Sequence, residues 1–323
     1  MNLDEIIVPI RDEIKQFNAE FKSAIRSSVG IVDTIARYLL RQKGKKIRPI
    51  LVLLSAKASG GINPASYRAA ALVELLHTAT LIHDDVVDNA DTRRGIASVS
   101  AAWKNKVAVL MGDYLLSRGL LLSLLNGEFR FLEISSVAVK RMSEGELLQI
   151  QKAKQLDIDE QTYFRIISDK TASLISTCCE LGAVSATSDE RRINQFRDFG
   201  EYLGLAFQIQ DDILDYEGKK GTLGKPIGGD IRERKVTLPL IYAFESAPKR
   251  DSRVIMRLLK NGKRGSRIHE VIEFAENYGG ITRAHEKAEE LISKARGKLD
   301  EIEDSEAKES LMKISDFVLE RVS

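Results

Sequence analysis

Cysteine is nearly absent from this chain. Only Cys178 and Cys179 occur in 323 residues, and they are adjacent. Neighbouring cysteines do not form an ordinary structural cross-link, and there is no CxxC pair, so a disulfide framework is excluded. A reduced, cytoplasmic setting is the expectation. Proline is also scarce, with six residues. Alternating strand patterns bounded by turn pairs are few, which argues against βαβ units. Charge of one sign is missing too: 49 basic residues face 47 acidic ones. A general nucleic-acid binder needs a dominant basic field, and this chain lacks it. The start, MNLDEIIVPIRDEI, carries acids early and has no charged-then-apolar signal pattern. No apolar run reads as long enough to span a bilayer, because Val107 to Leu125 is interrupted by Asp113 and Arg118. Repeats and low-complexity tracts are likewise missing.

What is present is helical periodicity. Tyr67 to Asp88 has neither Gly nor Pro, and Leu72, Leu75, Leu76 and Ala79 recur at helical spacing. Further helices are expected over 31–42, 133–154, 160–181, 191–216, 236–246, 267–277 and 281–299. Breaks fall at Gly60-Gly61, Gly95 and Asn126-Gly127, and most clearly from Gly218 to Gly229. From about Asp251 the chain is highly charged and predicts peripheral helices. These signals give an all-α fold in a single domain over residues 1–323.

Two acidic clusters stand out. One is LIHDDVVD at 81–88, the other FQIQDDILD at 207–215. Both have the form D-D-x-x-D and both follow an apolar helical run. Residues four apart share a helix face, so Asp84 points with Asp88, and Asp211 with Asp215. Such carboxylates raise one another's pKa unless a cation sits between them. Carboxylate oxygens suit Mg²⁺, which typically takes one or two of them together with phosphate oxygens and water. A solvated acidic helix end would explain one such cluster, but two copies in the same setting argue for a metal site. A calcium EF-hand is excluded, since the residues after Asp88 lack its alternating ligands and central Gly.

Basic residues accompany the acids. Arg93 and Arg94 follow the first cluster, Lys225 and Lys235 follow the second, and GKKIRP stands upstream at 44–49. Each group alone reads as an exposed turn. Together with two acidic clusters they describe a diphosphate site. His77 lies seven residues before Asp84, close to two helical turns, and so on one side with it. A satisfied core histidine is the alternative. His83 directly precedes the aspartates and is a candidate hydrogen-bond partner for them. His269 and His285 read as surface residues.

These residues together resemble the trans-isoprenyl diphosphate synthases, or polyprenyl synthetases. The likeness runs from about Lys43 to Tyr242. It takes in GKKIRP, ELLHTATLIHDDVVDNADTRRG at 74–95, GDYLLSR at 112–118 and SEGELLQ at 143–149. KTA at 170–172, FQIQDDILDYEG at 207–218 and GKPIGGDIRERKVTLP at 224–239 complete it. The medium- and long-chain members are the most similar. Three positions depart from the family pattern: Lys43 replaces a usual glycine, Lys46 a usual arginine, and Arg234 a common glycine.

The resemblance implies a helical bundle around a central apolar cavity. It implies Mg²⁺ as cofactor, with isopentenyl diphosphate and an allylic diphosphate as substrates. Asp84, Asp88 and Asp211 would hold the ions, supported by Asp85, Asp212 and Asp215. Arg93, Lys170, Lys225 and Lys235 would contact the allylic diphosphate, and Lys45, Arg48, His77 and Arg94 the isopentenyl diphosphate. Thr171 and Gln208 would border the reacting carbon. The released diphosphate would take the proton, so no side-chain base is required. A homodimer is implied, with peripheral membrane contact as a route for product release. The short-product members carry a bulky aromatic just before the first aspartate cluster. Here Ala79 and Thr80 are small, which predicts a long product, near eight isoprene units, of the kind used for quinone side chains. Alternatives are a farnesyl or geranylgeranyl synthase, a class I terpene cyclase and a non-catalytic subunit. A cyclase usually carries an Asn/Ser/Glu second motif, and a non-catalytic subunit would be expected to lose aspartates.

Overall fold

The computed structural model describes residues 3–41, 44–93, 95–217, 228–261 and 267–320. Lys43, Arg94, Lys225 and the glycine-rich break up to residue 227 lie outside them. The described residues form seventeen α-helices: α1 (Leu3–Ile6), α2 (Arg11–Ala24), α3 (Gly30–Arg41), α4 (Ile47–Ser59), α5 (Pro64–Val87) and α6 (Val99–Trp103) come first. α7 (Asn105–Leu125), α8 (Phe129–Gln155), α9 (Glu160–Ile167), α10 (Ser173–Ala186) and α11 (Glu190–Glu217) form the middle. α12 (Gly229–Arg232), α13 (Leu238–Ser246), α14 (Lys249–Asn261), α15 (Ile268–Asn277), α16 (Gly280–Gly297) and α17 (Glu306–Leu319) complete the chain. The only strands among the described residues are a two-residue antiparallel pair, Thr92 opposite Ala97 and Arg93 opposite Ile96.

α5 shows how the sequence places its elements. Asn63 caps it by accepting from the amides of Ala65 and Ser66, and Ser66 returns a bond to the Asn63 amide. Pro64 fills the first helical position, where its missing N–H leaves nothing unsatisfied. The helix then buries Leu72, Leu75, Leu76 and Ala79. Each fully buried leucine contributes about 1.5–3 kcal/mol of apolar burial.

α10 is the central rod, packed against α4, α5, α8 and α11. Its small residues permit that crowding. Cys178 and Cys179 are fully buried and unbridged. Burial pushes the Cys179 thiol up to about 12, so it behaves as an unreactive apolar filler.

Two expectations change. α16 and α17 are not peripheral. α16 buries Ala284, Ala288, Leu291, Ile292 and Ala295 against α11 and α13, and α17 packs on α4. Their charges occupy one face only, and a count of charged residues does not register that amphipathic split. The second concerns α7, which by length and composition is apolar enough to cross a membrane, contrary to the reading of residues 107–125. Two of its polar side chains face protein: Arg118 Nε donates to the Ala24 carbonyl and the Tyr114 hydroxyl to that of Arg26.

Candidate active site

Both acidic clusters lie at the C-terminal ends of their helices. Asp84 and Asp88 span the last turn of α5, where the Asp88 amide bonds the Asp84 carbonyl at 2.8 Å. Asp211, Asp212 and Asp215 occupy the last two turns of α11. A helix C-terminus carries partial negative charge, so carboxylates there are doubly disfavoured without a cation. The Asp84 carboxyl is raised above the usual carboxylate range, first by desolvation, then by Glu146 and Asp88, against Lys170 and Arg93. Asp215 is raised by burial and by Asp230.

The six aspartates differ in their surroundings. Asp85 is buried and accepts from Arg93 Nε at 2.6 Å. Asp212 is buried and accepts from the Tyr163 hydroxyl at 2.6 Å and from Gln208 Nε2 at 2.8 Å. Asp215 accepts from the backbone amides of Gly229 and Asp230 at 2.8 and 3.0 Å, fixing the chain where it returns after residue 227. Asp84, Asp88 and Asp211 remain exposed. Among the described residues no three acidic, histidine or cysteine side chains converge as a ready-made metal cage. The three aspartates expected to hold the ions are thus exposed, and the three expected to support them are anchored by protein groups. Open carboxylates at negative helix ends fit a hard cation that completes its shell with phosphate oxygens and water.

A π-turn, Ser168–Ala172, joins α9 to α10 and breaks the single helix expected over 160–181. It turns Lys170 and Thr171 into the site. Lys170 Nζ pairs with Glu146 Oε2 at 2.5 Å and lies 3.4 Å from Gln149 Oε1. The Thr171 hydroxyl donates to Gln208 Oε1 at 2.7 Å. A cavity of about 80 Å³ gathers Lys170, Thr171, Gln208, Asp212, Asp230 and Lys235. Lys235 pairs with Glu233 at 2.5 Å and Asp230 at 3.5 Å, which raises its pKa despite burial.

A second cavity of about 390 Å³ has a basic mouth of Lys45, Lys46, Arg48 and His77. Its floor includes Ile175, Phe207, Ile314 and Phe317. Arg48 Nη1 lies 2.9 Å from His77 Nε2, and Lys45 Nζ sits 5.0 Å from the Phe317 ring centre. The two cavities are neighbours. Consecutive residues Phe207 and Gln208 line one each, and the Thr171–Gln208 bond belongs to the wall of the first.

Profile comparison matches residues 29–275 to the polyprenyl synthetase model. The chain belongs to the polyprenyl synthetase family. It is 34% identical to the octaprenyl diphosphate synthase of Escherichia coli (strain K12), with 99% of each chain covered. It is 36% identical to a short chain isoprenyl diphosphate synthase of Methanothermobacter thermautotrophicus, covering 98% of this chain and 99% of the relative. A polyprenyl synthase from Caulobacter crescentus CB15, solved in complex with calcium and isoprenyl diphosphate, superposes with a TM-score of 0.92 at 33% identity. That match covers 100% of this chain and 98% of the other. This polyprenyl synthetase is therefore a prenyltransferase of the trans-prenyl diphosphate synthase type, with the all-α fold of its structural neighbours.

Two expected residues fall elsewhere. His83 turns from the aspartates toward α7, where its Nε2 lies 3.2 Å from the Val109 carbonyl and 3.4 Å from Asp113. His285 is half-buried beside Glu217 at 3.2 Å rather than free on the surface. Ala79 is buried on the face of α5 that meets α7, in phase with Leu72 and Leu75, which lie against Gly119. The Thr80 hydroxyl bonds the His77 carbonyl. Tyr163, Glu146 and Asp230 were not foreseen. Asp230 had a signal in its place after the glycine-rich break; Tyr163 had none.

Proposed function

We propose that this polyprenyl synthetase condenses isopentenyl diphosphate head-to-tail with an allylic diphosphate and elongates to a long product, near eight isoprene units. The observation that carries the two-substrate reading is the pair of adjoining cavities, one basic over an apolar floor, the other beside the aspartates. A terpene cyclase has no use for the first. A non-catalytic subunit would not keep both motifs whole.

In this reading Asp84, Asp88 and Asp211 hold Mg²⁺, which when bound supplies positive charge to the leaving diphosphate. Arg93, Lys170 and Lys235, together with Lys225, bind the allylic diphosphate. Lys45, Arg48 and His77, together with Arg94, bind isopentenyl diphosphate. Thr171 and Gln208 direct their dipoles at the reacting carbon, and the packed helices keep water from it. Ala79 and Thr80 leave no bulky ring below the aspartates, which supports a long tail running along α5. The exposed Leu121, Leu124, Leu125 and Phe129 at the α7–α8 end form an apolar patch of the sort that a partner covers. We assign it to a homodimer. The free, buried Cys178 and Cys179 suit a reduced, cytoplasmic setting.

The test is to incubate the purified chain with Mg²⁺ and both diphosphates and separate the dephosphorylated products. Long products that vanish on chelation are expected; activity in excess chelator would overturn the metal reading. Ala79→Tyr is expected to shorten the product to about three or four units, because position 79 lies a little over one 5.4 Å turn below Asp84. A destabilised variant with an unchanged product would make Ala79 a packing residue.

A further inference from the structure

The π-turn that carries Lys170 and Thr171 is held from behind by a charged cluster outside both cavities. Arg141 of α8 donates from Nε to Asp169 Oδ1 at 2.8 Å and from Nη2 to Ser168 Oγ at 2.7 Å. The same guanidinium reaches Glu201 of α11, with Nη2 3.1 Å from Oε1 and Nη1 3.4 Å from Oε2. Ser168 Oγ donates to Glu201 Oε1 at 2.5 Å, closing the ring. Four side chains from three elements therefore meet on the outer half of one turn. Ser168 and Asp169 enter this cluster; the next two residues, Lys170 and Thr171, enter the active site.

The turn is also pressed from both sides. A Cβ at Gly145 of α8 would stand 2.9 Å from the Lys170 amide nitrogen, and one at Gly204 of α11 would stand 2.5 Å from Ala172 Cα. A π-turn holds one residue more than an α-turn and persists only where its surroundings favour it. Here those surroundings are two glycine contacts and the Arg141 fork. We infer that Arg141 and Glu201 are positioning residues: they hold the extra residue of the π-turn in register, so that Lys170 and Thr171 face the substrate together. Without the fork the turn relaxes toward regular helix, and a slip of one residue rotates its side chains by about 100°. Lys170 and Thr171 would then leave Glu146 and Gln208. The inference rests on the reading of Lys170 and Thr171 given above.

The experiment compares Arg141→Met, Arg141→Lys and Glu201→Gln with Arg68→Met. Arg68 bonds Glu128 Oε1 at 2.7 Å, lines neither cavity, and controls for loss of a part-buried ion pair as such. Turnover, both KM values, melting temperature and amide hydrogen exchange over residues 168–173 are measured for each. Arg141→Met is expected to lower kcat about ten- to a hundred-fold, the scale of an ångström-sized misplacement. The KM for isopentenyl diphosphate should change much less, and exchange at 168–173 should quicken. Arg141→Lys should recover part of the loss. Arg68→Met should lose comparable stability with turnover and local exchange unchanged. Equal kcat losses at matched stability, or unaltered exchange in Arg141→Met, would overturn the assignment. Should Arg141→Met fail to fold, Arg141→Lys and Glu201→Gln decide on the same readouts. A wild type making no polyprenyl diphosphate would instead defeat the proposed function, while hydrogen exchange would still judge the clamp.

Discussion

The two helix ends that carry D-D-x-x-D share their aspartate spacing and differ in their surroundings. In both, the second aspartate is buried and bonded to protein: Asp85 to Arg93, Asp212 to Tyr163 and Gln208. In both, the first is open. They part at the last position. Asp88 of α5 is exposed, whereas Asp215 of α11 holds the backbone amides of Gly229 and Asp230. The first motif thus exposes two carboxylates and the second one. Helical phase sets the resemblance, and the next segment of chain sets the difference.

The largest expected effect falls on what the two ends share. Asp84→Ala and Asp211→Ala should each lower turnover about a thousand-fold, corresponding to several kcal/mol of leaving-group stabilisation. Their melting temperatures should hold, since each removes carboxylate repulsion. Near-normal turnover in either would break the symmetry between the motifs.

The difference is sharpened by Asp88→Ala against Asp215→Ala. Removing Asp88 should cost within about 0.5 kcal/mol of stability, as at most exposed sites. Removing Asp215 leaves backbone amides without their acceptor and should cost about 1–3 kcal/mol. Denaturant melts of the two read this directly, and equal melts would show that Asp215 is as idle structurally as Asp88.

Asp212 gives a pH test. Burial, then Asp230, raises its carboxyl from 3.8 to about 8, against bonds from Tyr163 and Gln208. An acid raised on folding stabilises fully below its unfolded value, and that contribution is lost as pH rises toward the folded one. Metal-free protein should therefore lose stability relative to Asp212→Asn between about pH 4 and 8. The limit for one proton is about 1.4 kcal/mol per pH unit. Parallel profiles for the two proteins would refute the raised value.

The smallest effect concerns Arg234, where the family commonly has glycine. Its φ is +60°, a left-handed conformation that costs a non-glycine residue about 1–2 kcal/mol. Arg234→Gly should stabilise by up to about 1 kcal/mol in the same melts. A loss would mean that the guanidinium contributes more than its backbone strain removes.

Much of this was legible beforehand. The D-D-x-x-D spacing placed the open carboxylates, and apolar periodicity located α5, α8 and α11 to within a few residues. The π-turn was not legible, because Ile166, Ile167 and Leu174 continue a helical rhythm across one inserted residue. Nor was α17 as part of a cavity wall: Ile314 and Phe317 lie some 240 residues from His77, and charge near them read as surface. The anchoring of Asp212 by Tyr163 joins residues with no shared motif, so only the packed chain brings it out.

Lys170 is paired with Glu146, and Lys235 with Glu233, before any ligand is considered. In the proposed reading, a diphosphate arriving at either lysine would compete with a carboxylate already there, so binding would be an exchange of partners rather than the filling of a vacancy. The net affinity is then a small difference between two strong contacts. The same carboxylates are on hand to reclaim the lysines once the bond to the prenyl chain is broken. A site built from cations alone would hold inorganic diphosphate and stall; one with its own competing anions can let it go and begin the next cycle.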